Sequence, residues 1–107
     1  MGTILNAYCE NCGFEEKVWF GAGMLTHKTE CNVPAIDNEN GELVQKNIFE
    51  RDKLKNNFTF YNEEKMFNGV IQNNNIHWGD IFLKETENIC PRCTLFSMNF
   101  VKIGFFD

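Results

Sequence analysis

Two pairs of cysteines lie near opposite ends of the chain, and within each pair two residues separate the sulfurs. The first pair is Cys9 and Cys12, and the second is Cys90 and Cys93. A Cys-x-x-Cys turn directs both sulfurs toward one centre, while the backbone amides behind them donate hydrogen bonds to the thiolates. Two such turns supply the four sulfur ligands of a tetrahedral site. The sequence therefore predicts that these four cysteines bind one metal ion together.

The residues around the two pairs fit this prediction. Gly13 follows the first pair at the position where such a turn needs a positive φ, and Pro91 stiffens the second turn by fixing its own φ. Thiols are kept reduced in the cytosol, so paired motifs in a cytosolic chain indicate metal ligands rather than disulfides. Zinc is the expected ion. Iron in a rubredoxin-like site uses the same ligands and remains an alternative, as does a redox-active dithiol.

The spacing between the pairs excludes a simple zinc finger. The pairs are separated by the 77 residues from 13 to 89, whereas a compact four-cysteine finger places about 15–20 residues there. The metal ion would instead join the N-terminal and C-terminal strands and close a loop that holds most of the core. Metal binding then contributes directly to folding.

The pattern Cys-x-x-Cys-Gly near the start and Cys-Pro-x-Cys near the end resembles that of zinc-ribbon proteins, including small uncharacterised bacterial ribbon proteins. The resemblance covers two ribbon halves, about residues 3–24 and 88–107, and leaves an insert of about residues 25–87. It implies that each cysteine pair lies at the tip of a β-hairpin. It implies no activity, because ribbon families serve many roles.

Composition and hydrophobic patterning favour one α+β domain over residues 1–107, with mostly antiparallel strands. The chain has 107 residues, of which 43% are hydrophobic and 23% charged, and its 11 phenylalanines predict a phenylalanine-rich core. No apolar stretch approaches the roughly 18 residues of a membrane span, and the first residues lack the pattern of a secretory signal. We therefore expect a cytoplasmic protein with no membrane partner.

Alternating and turn-forming residues predict the following elements. We expect a hairpin from Thr3–Tyr8 and Phe14–Phe20, a second hairpin around a type I′ turn at Asn40-Gly41, a short helix capped by Asn47, a strand at Phe58–Tyr61, a one-turn helix between Asn62 and Asn68, and extended segments at Ile76–Lys84 and Leu95–Phe106 with a bulge near Phe100.

A search for catalytic groups finds one weak arrangement. Cys31 is left over after the metal site is filled, and with His27 or His77 it could form a thiol and base pair in an enzyme built on the insert. An unpaired intracellular cysteine is more often a small buried hydrophobic residue. Ser97 lies between apolar residues of a strand pattern and has no nucleophile elbow around it. No catalytic residue is therefore assigned.

Charge disfavours a nucleic-acid-binding ribbon. The formal charge is −5 and the sequence pI is about 5.0, so no overall field attracts phosphates. Arg92 at the second turn, with Phe96 and Phe100 as stacking residues, would be the contacts if nucleic acid did bind. We expect instead a protein-binding or adaptor module, with a protein partner on the surface of the insert between about residues 21 and 88.

Overall fold

The structure is a computed structural model and describes residues 2–22, 31–54, 56–68, 75–78 and 81–106. This part of the chain is β-rich, with three antiparallel sheets and one short α-helix. The elements are β1 (Gly2–Cys9), β2 (Glu15–Phe20), β3 (Asn32–Asp37), β4 (Leu43–Asn47), a 3₁₀ turn (Ile48–Glu50), α1 (Arg51–Leu54), β5 (Phe58–Phe60), a second 3₁₀ turn (Glu64–Met66), β6 (Asn75–Trp78), β7 (Ile81–Lys84), β8 (Asn88–Ile89) and β9 (Phe96–Phe106).

The ribbon halves form one four-stranded sheet in the order β2-β1-β9-β8. Its two central strands come from opposite ends of the chain and pair antiparallel from Gly2 opposite Phe106 to Cys9 opposite Met98. Alternation explains which face packs inward, because Leu5, Ala7 and Cys9 are all fully buried. The predicted N-terminal hairpin is confirmed by the pairing of β1 with β2.

β9 has two register shifts with its neighbouring strands, and neither lies at Phe100. Phe100 is in regular register opposite Ala7, while Leu5 pairs with Lys102 and its neighbour Ile4 pairs with Gly104. The extra residue in this pairing is thus 103. In the pairing with β8, Asn88 lies opposite Met98 and Ile89 opposite Phe96, so residue 97 is also extra. The predicted bulge is therefore not at Phe100 itself, and β9 is irregular three residues to either side of it. The switch of apolar residues after Phe100 has another cause, because Val101 and Ile103 are exposed rather than packed on a second face.

A three-stranded sheet in the order β4-β3-β5 forms most of the insert. The predicted hairpin is confirmed, but its type I′ turn is wrong. Such a turn needs two consecutive positive φ angles, and in residues 38–42 only Gly41 has one, at 74°. The loop is longer, and it is closed by hydrogen bonds from the amide of Asp37 to the carbonyl of Glu42 and from the amide of Gly41 to the carbonyl of Asp37.

Of two further predictions for the insert, the structure contradicts one and confirms the other. The extended segment predicted at Ile76–Lys84 is instead a hairpin, with β6 antiparallel to β7 and Ile76 opposite Leu83. The predicted cap is confirmed, because Oδ1 of Asn47 accepts a hydrogen bond from the amide of Phe49 at 3.1 Å.

The buried side chains of the two larger sheets form one hydrophobic cluster. Tyr61, which follows β5, packs edge-to-face against Phe100 of β9 with ring centroids 5.2 Å apart. The phenylalanine-rich core is only partly realised, because Phe20, Phe60, Phe67 and Phe100 are buried while Phe49, Phe82, Phe96 and Phe105 are exposed. Within the described residues, no helix has the length and apolar character needed to cross a membrane.

Candidate metal centre

The first cysteine pair lies in a tight turn at the end of β1. The amide of Cys9 donates to the carbonyl of Phe14 at 2.8 Å, and the amide of Gly13 donates to the carbonyl of Cys9 at 3.0 Å. Gly13 has a φ of 78°, as the sequence predicted. A residue without a Cβ adopts this left-handed conformation at no steric cost, so the glycine permits the chain to reverse immediately after Cys12.

The second pair repeats the same backbone pattern. The amide of Cys90 donates to the carbonyl of Leu95, and the amide of Thr94 donates to the carbonyl of Cys90, both at 2.9 Å. Thr94 takes the place of Gly13 and has a φ of 60°. A threonine in this conformation is strained, because its Cβ approaches the following carbonyl group. We call each of these turns, residues 9–14 and 90–95, a knuckle.

Strand pairing brings the two knuckles together. Cys9 lies opposite Met98, so the end of β1 is beside the start of β9, directly after the second knuckle. The amide of Glu10 in the first knuckle also donates to the carbonyl of Ser97 at 3.0 Å. The knuckles therefore face each other across the central pair of strands, as the resemblance to zinc ribbons implied.

The four sulfur atoms form a compact cluster. All lie within 4.8 Å of one another, and the Cys9–Cys93 and Cys12–Cys90 sulfur pairs are each 3.6 Å apart. A Zn–S bond of about 2.3 Å requires an S–S separation of about 3.8 Å in a tetrahedron. The donor set and its dimensions thus fit a tetrahedral zinc or iron ion.

Backbone amides point at the buried sulfur of each knuckle. The amides of Arg92 and Cys93 lie 3.4 and 3.5 Å from Sγ of Cys90. The amides of Asn11 and Cys12 make the equivalent hydrogen bonds to Sγ of Cys9. Such donors stabilise a thiolate and leave its sulfur lone pairs oriented for a cation.

The hydrogen bonds and burial shift the pKa values of the thiols in different directions. A hydrogen bond from the amide of Leu95 lowers the pKa of Cys93 to about 6. Burial raises the pKa of Cys90 to about 12. At Cys9 burial also acts to raise the pKa, but hydrogen bonds from Ser97 and from two backbone amides together lower it. Burial and hydrogen bonding thus act in opposite directions within the cluster, and a divalent cation is the charge that would stabilise all four thiolates.

No protein-family model, curated protein or solved structure matches the chain. The likeness to a zinc ribbon therefore depends on the cysteine pattern and on the cluster that joins the N-terminal and C-terminal strands.

Of the three residues suggested for an enzyme, the structure describes the surroundings of Cys31 alone. Cys31 is fully buried in the core, and burial raises the pKa of its thiol to about 11. A protonated, enclosed thiol is a poor nucleophile. The prediction that Cys31 is a small buried residue is confirmed. His27 lies outside the described residues, and His77 is described only through its backbone pairing with Phe82.

The contacts suggested for nucleic acid are only partly available. Phe100 is buried against Tyr61 and cannot stack on a base, which corrects its assignment as a stacking residue. Phe96 is exposed. The Arg92 guanidinium lies 5.3 Å from the centre of the Phe14 ring, so it packs across the two knuckles.

Sequence reasoning missed one residue that contacts the cluster. Ser97 was considered only as a nucleophile, yet its Oγ lies 3.0 Å from Sγ of Cys9. Ser97 is the only serine in the sequence and lies four residues after Cys93. This proximity to a predicted ligand was the available signal. The signal was uninterpretable without the strand register, since only the pairing of β1 with β9 places residue 97 beside residue 9.

Proposed function

We propose that the protein is a small structural zinc-binding domain, in which one zinc ion is bound by Cys9, Cys12, Cys90 and Cys93. The proposal is carried by one observation, the convergence of four sulfur atoms within 4.8 Å from two knuckles that lie far apart in sequence. Four thiolates complete a tetrahedral shell and leave no position for water. The ion then supports structure and does not act as a Lewis acid.

The position of the site explains what the ion would stabilise. Cys12 and Cys90 are 78 residues apart, so the bound ion closes a loop containing both sheets of the insert. Closing so long a loop without the ion carries a large entropic cost. Both hairpins of the ribbon also depend on the site for the geometry of their tips. We therefore expect metal binding and folding to be coupled.

Elemental analysis of the untagged protein, paired with thermal melting before and after chelation, tests this proposal. We expect about one zinc ion per chain and a large fall in melting temperature after its removal. Cys9→Ser should lose the metal, whereas Cys31→Val should keep it because Cys31 is a core residue outside the cluster. One iron ion per chain would favour the rubredoxin-like electron carrier, and absence of metal from the folded protein would contradict the proposal.

We propose a protein-binding role for the same chain, located on the ribbon halves. Among the described residues, most of the large apolar side chains that are exposed lie there, and the insert contributes Phe49 and Phe82. Those on the ribbon halves are Tyr8, Trp19, Leu95, Phe96, Val101, Ile103 and Phe105. Concentrated exposed apolar residues are typical of interaction surfaces. This location differs from the insert surface that the sequence had suggested.

A photo-crosslinking amino acid at position 101, compared with one at position 50, tests the second role. We expect a crosslinked polypeptide from position 101 that disappears in the Ile103→Asp variant and whose binding is reproduced with the purified partner. Equal crosslinking from both positions, or none, would contradict a partner surface on the ribbon halves.

A further inference from the structure

Ser97 contacts both knuckles through different atoms. Its carbonyl accepts the hydrogen bond from Glu10 in the first knuckle, and its own amide donates to the carbonyl of Leu95 in the second at 2.9 Å. Its hydroxyl oxygen lies 3.0 Å from Sγ of Cys9 and 3.8 Å from Sγ of Cys93. The backbone of this residue therefore joins the two hairpins, while its side chain is directed at the sulfur cluster.

The hydroxyl group has only one possible role toward a metal-bound sulfur. A cysteine ligand binds zinc as a thiolate and carries no proton. In the hydrogen bond between Ser97 and Cys9, the serine must then be the donor. Sγ of Cys9 belongs to a fully buried residue, where a hydrogen bond to a charged acceptor is stronger than at an exposed position.

The hydrogen bond from Ser97 matters because the metal site carries a net negative charge. Four thiolates around one divalent cation carry a formal charge of about −2, and the donors around the sulfurs disperse it. Cys9 receives two backbone amides as well as the Ser97 hydroxyl. The amides are inherent in the turn and persist after any side-chain change, so the hydroxyl is the donor at Cys9 that substitution can remove.

We propose that Ser97 is a positioning residue that holds the Cys9 thiolate and regulates how tightly the site retains its metal ion. This inference rests on the proposed function, because it concerns the same four-cysteine site. Outer groups that hydrogen-bond to metal ligands typically contribute about 10-fold to 100-fold in metal affinity. Loss of the hydroxyl therefore weakens zinc binding while the four ligands and the knuckle backbone remain.

Competition with a chromophoric zinc chelator measures the first consequence. We expect Ser97→Ala to raise the zinc dissociation constant about 10-fold, and Ser97→Thr to restore most of the affinity because it keeps the hydroxyl on a residue suited to a strand. Thr59→Ala is the matched control, since its hydroxyl donates to Asn38 at an exposed site outside the cluster. That variant should bind zinc as the wild type does.

Cobalt substitution supplies a readout that a purely structural role would not change. A thiolate that loses a hydrogen bond donates electrons more readily, so the sulfur-to-cobalt charge-transfer band of fully loaded Ser97→Ala should move to lower energy. Ser97→Thr should return it toward the wild-type position. An unchanged band together with unchanged zinc affinity in Ser97→Ala would overturn this inference while leaving the zinc site intact. A wild-type protein that binds neither zinc nor cobalt would instead overturn the proposed function itself.

Discussion

The hydroxyl group of Tyr61 donates a 2.6 Å hydrogen bond to the carbonyl oxygen of Ile89, the residue directly before Cys90. Tyr61 is fully buried and belongs to the insert, whereas Ile89 leads into the second knuckle. The amide of Tyr61 also donates to the carbonyl of Pro34 in β3 at 2.9 Å. Through its amide and its hydroxyl group, Tyr61 thus connects the central strand of the insert with the chain that enters the metal site.

Replacing Tyr61 with phenylalanine should destabilise the protein by about 0.5–1.5 kcal/mol, because the partly buried carbonyl of Ile89 loses its donor. The ring and its packing against Phe100 would remain. Urea unfolding of the metal-loaded protein measures the effect. Tyr8→Phe is the control, since Tyr8 is 41% exposed, and its change should stay within about 0.5 kcal/mol. Equal effects at both positions would contradict a specific role for the Tyr61 hydroxyl.

The two knuckles should respond in opposite directions to exchange at their left-handed residues. Gly13→Ala should destabilise the protein by roughly 1–2 kcal/mol, because alanine is strained at a positive φ. A steric clash adds nothing to this value, since nothing lies within 4 Å of the added Cβ. Thr94→Gly should stabilise by about 0.5–1 kcal/mol because it relieves the strain at a φ of 60°. Urea unfolding of both variants checks the pair. A loss of stability in Thr94→Gly would show that the hydrogen bond from its hydroxyl to the carbonyl of Cys93 outweighs the strain.

An aromatic stack at the far end of the ribbon depends on a glycine. Trp19 and Phe106 stack with ring centroids 5.2 Å apart, and a Cβ on Gly2 would overlap the Phe106 ring. Gly2→Ala should displace that ring, alter the fluorescence of Trp19 and cost about 0.5–1.5 kcal/mol.

The measurement is tryptophan emission in a Trp78→Phe background, where Trp19 is the sole tryptophan. Gly104→Ala is the control, because its Cβ would meet Ile4 at an ordinary 3.7 Å. Emission that is identical in Gly2→Ala and in the parent would disprove the dependence of the stack on Gly2.

Cys31 should make the protein less stable at alkaline pH. Burial raises the pKa of its thiol to about 11, from 9.0 when unburied. Below pH 9 the thiol is protonated in both states and its contribution is fully present. Between those values the unfolded chain releases the proton while the folded chain keeps it, so stability falls as pH rises.

Urea unfolding at about pH 8 and about pH 10.5 measures this effect. The wild type should lose more stability over that interval than Cys31→Val, which keeps the size of the side chain and has no proton to release. Parallel losses in the two proteins would mean that other groups account for the alkaline sensitivity.

The ribbon halves could be predicted from the sequence because each of their signals is local. Cys9, Cys12 and Gly13 are typical of a metal-binding turn. In the strand before them, every second side chain from residue 5 to residue 9 is buried, which is the period of a strand with one face on the core. The proximity of the two ends then followed from four cysteines sharing one centre, whereas the direct pairing of β1 with β9 became visible only in the structure. Such inferences need no knowledge of the insert.

The insert was harder to predict because its register depends on distant contacts. The run from Ile76 to Lys84 is rich in residues that favour strands and was interpreted as one extended segment, although the Gly79-Asp80 dipeptide within it was an available hairpin signal. On the ribbon halves, the exposure of the Phe105 side chain could not be predicted from the sequence either. An apolar residue in a strand indicates a core only when a second layer covers that face, and no local pattern tells whether one does.

The separation of the two knuckles in sequence also determines when, during translation, the metal site can form. Cys90 leaves the ribosome 78 residues after Cys12, which at ordinary translation rates is a delay of roughly 4–16 s. During that interval the first pair of thiols can offer a metal ion only half of its ligands. A chain interrupted anywhere in the insert never acquires the other half. The site is therefore completed only after the whole insert has been synthesised, and tight metal retention would distinguish chains that contain both knuckles from chains that contain only the first.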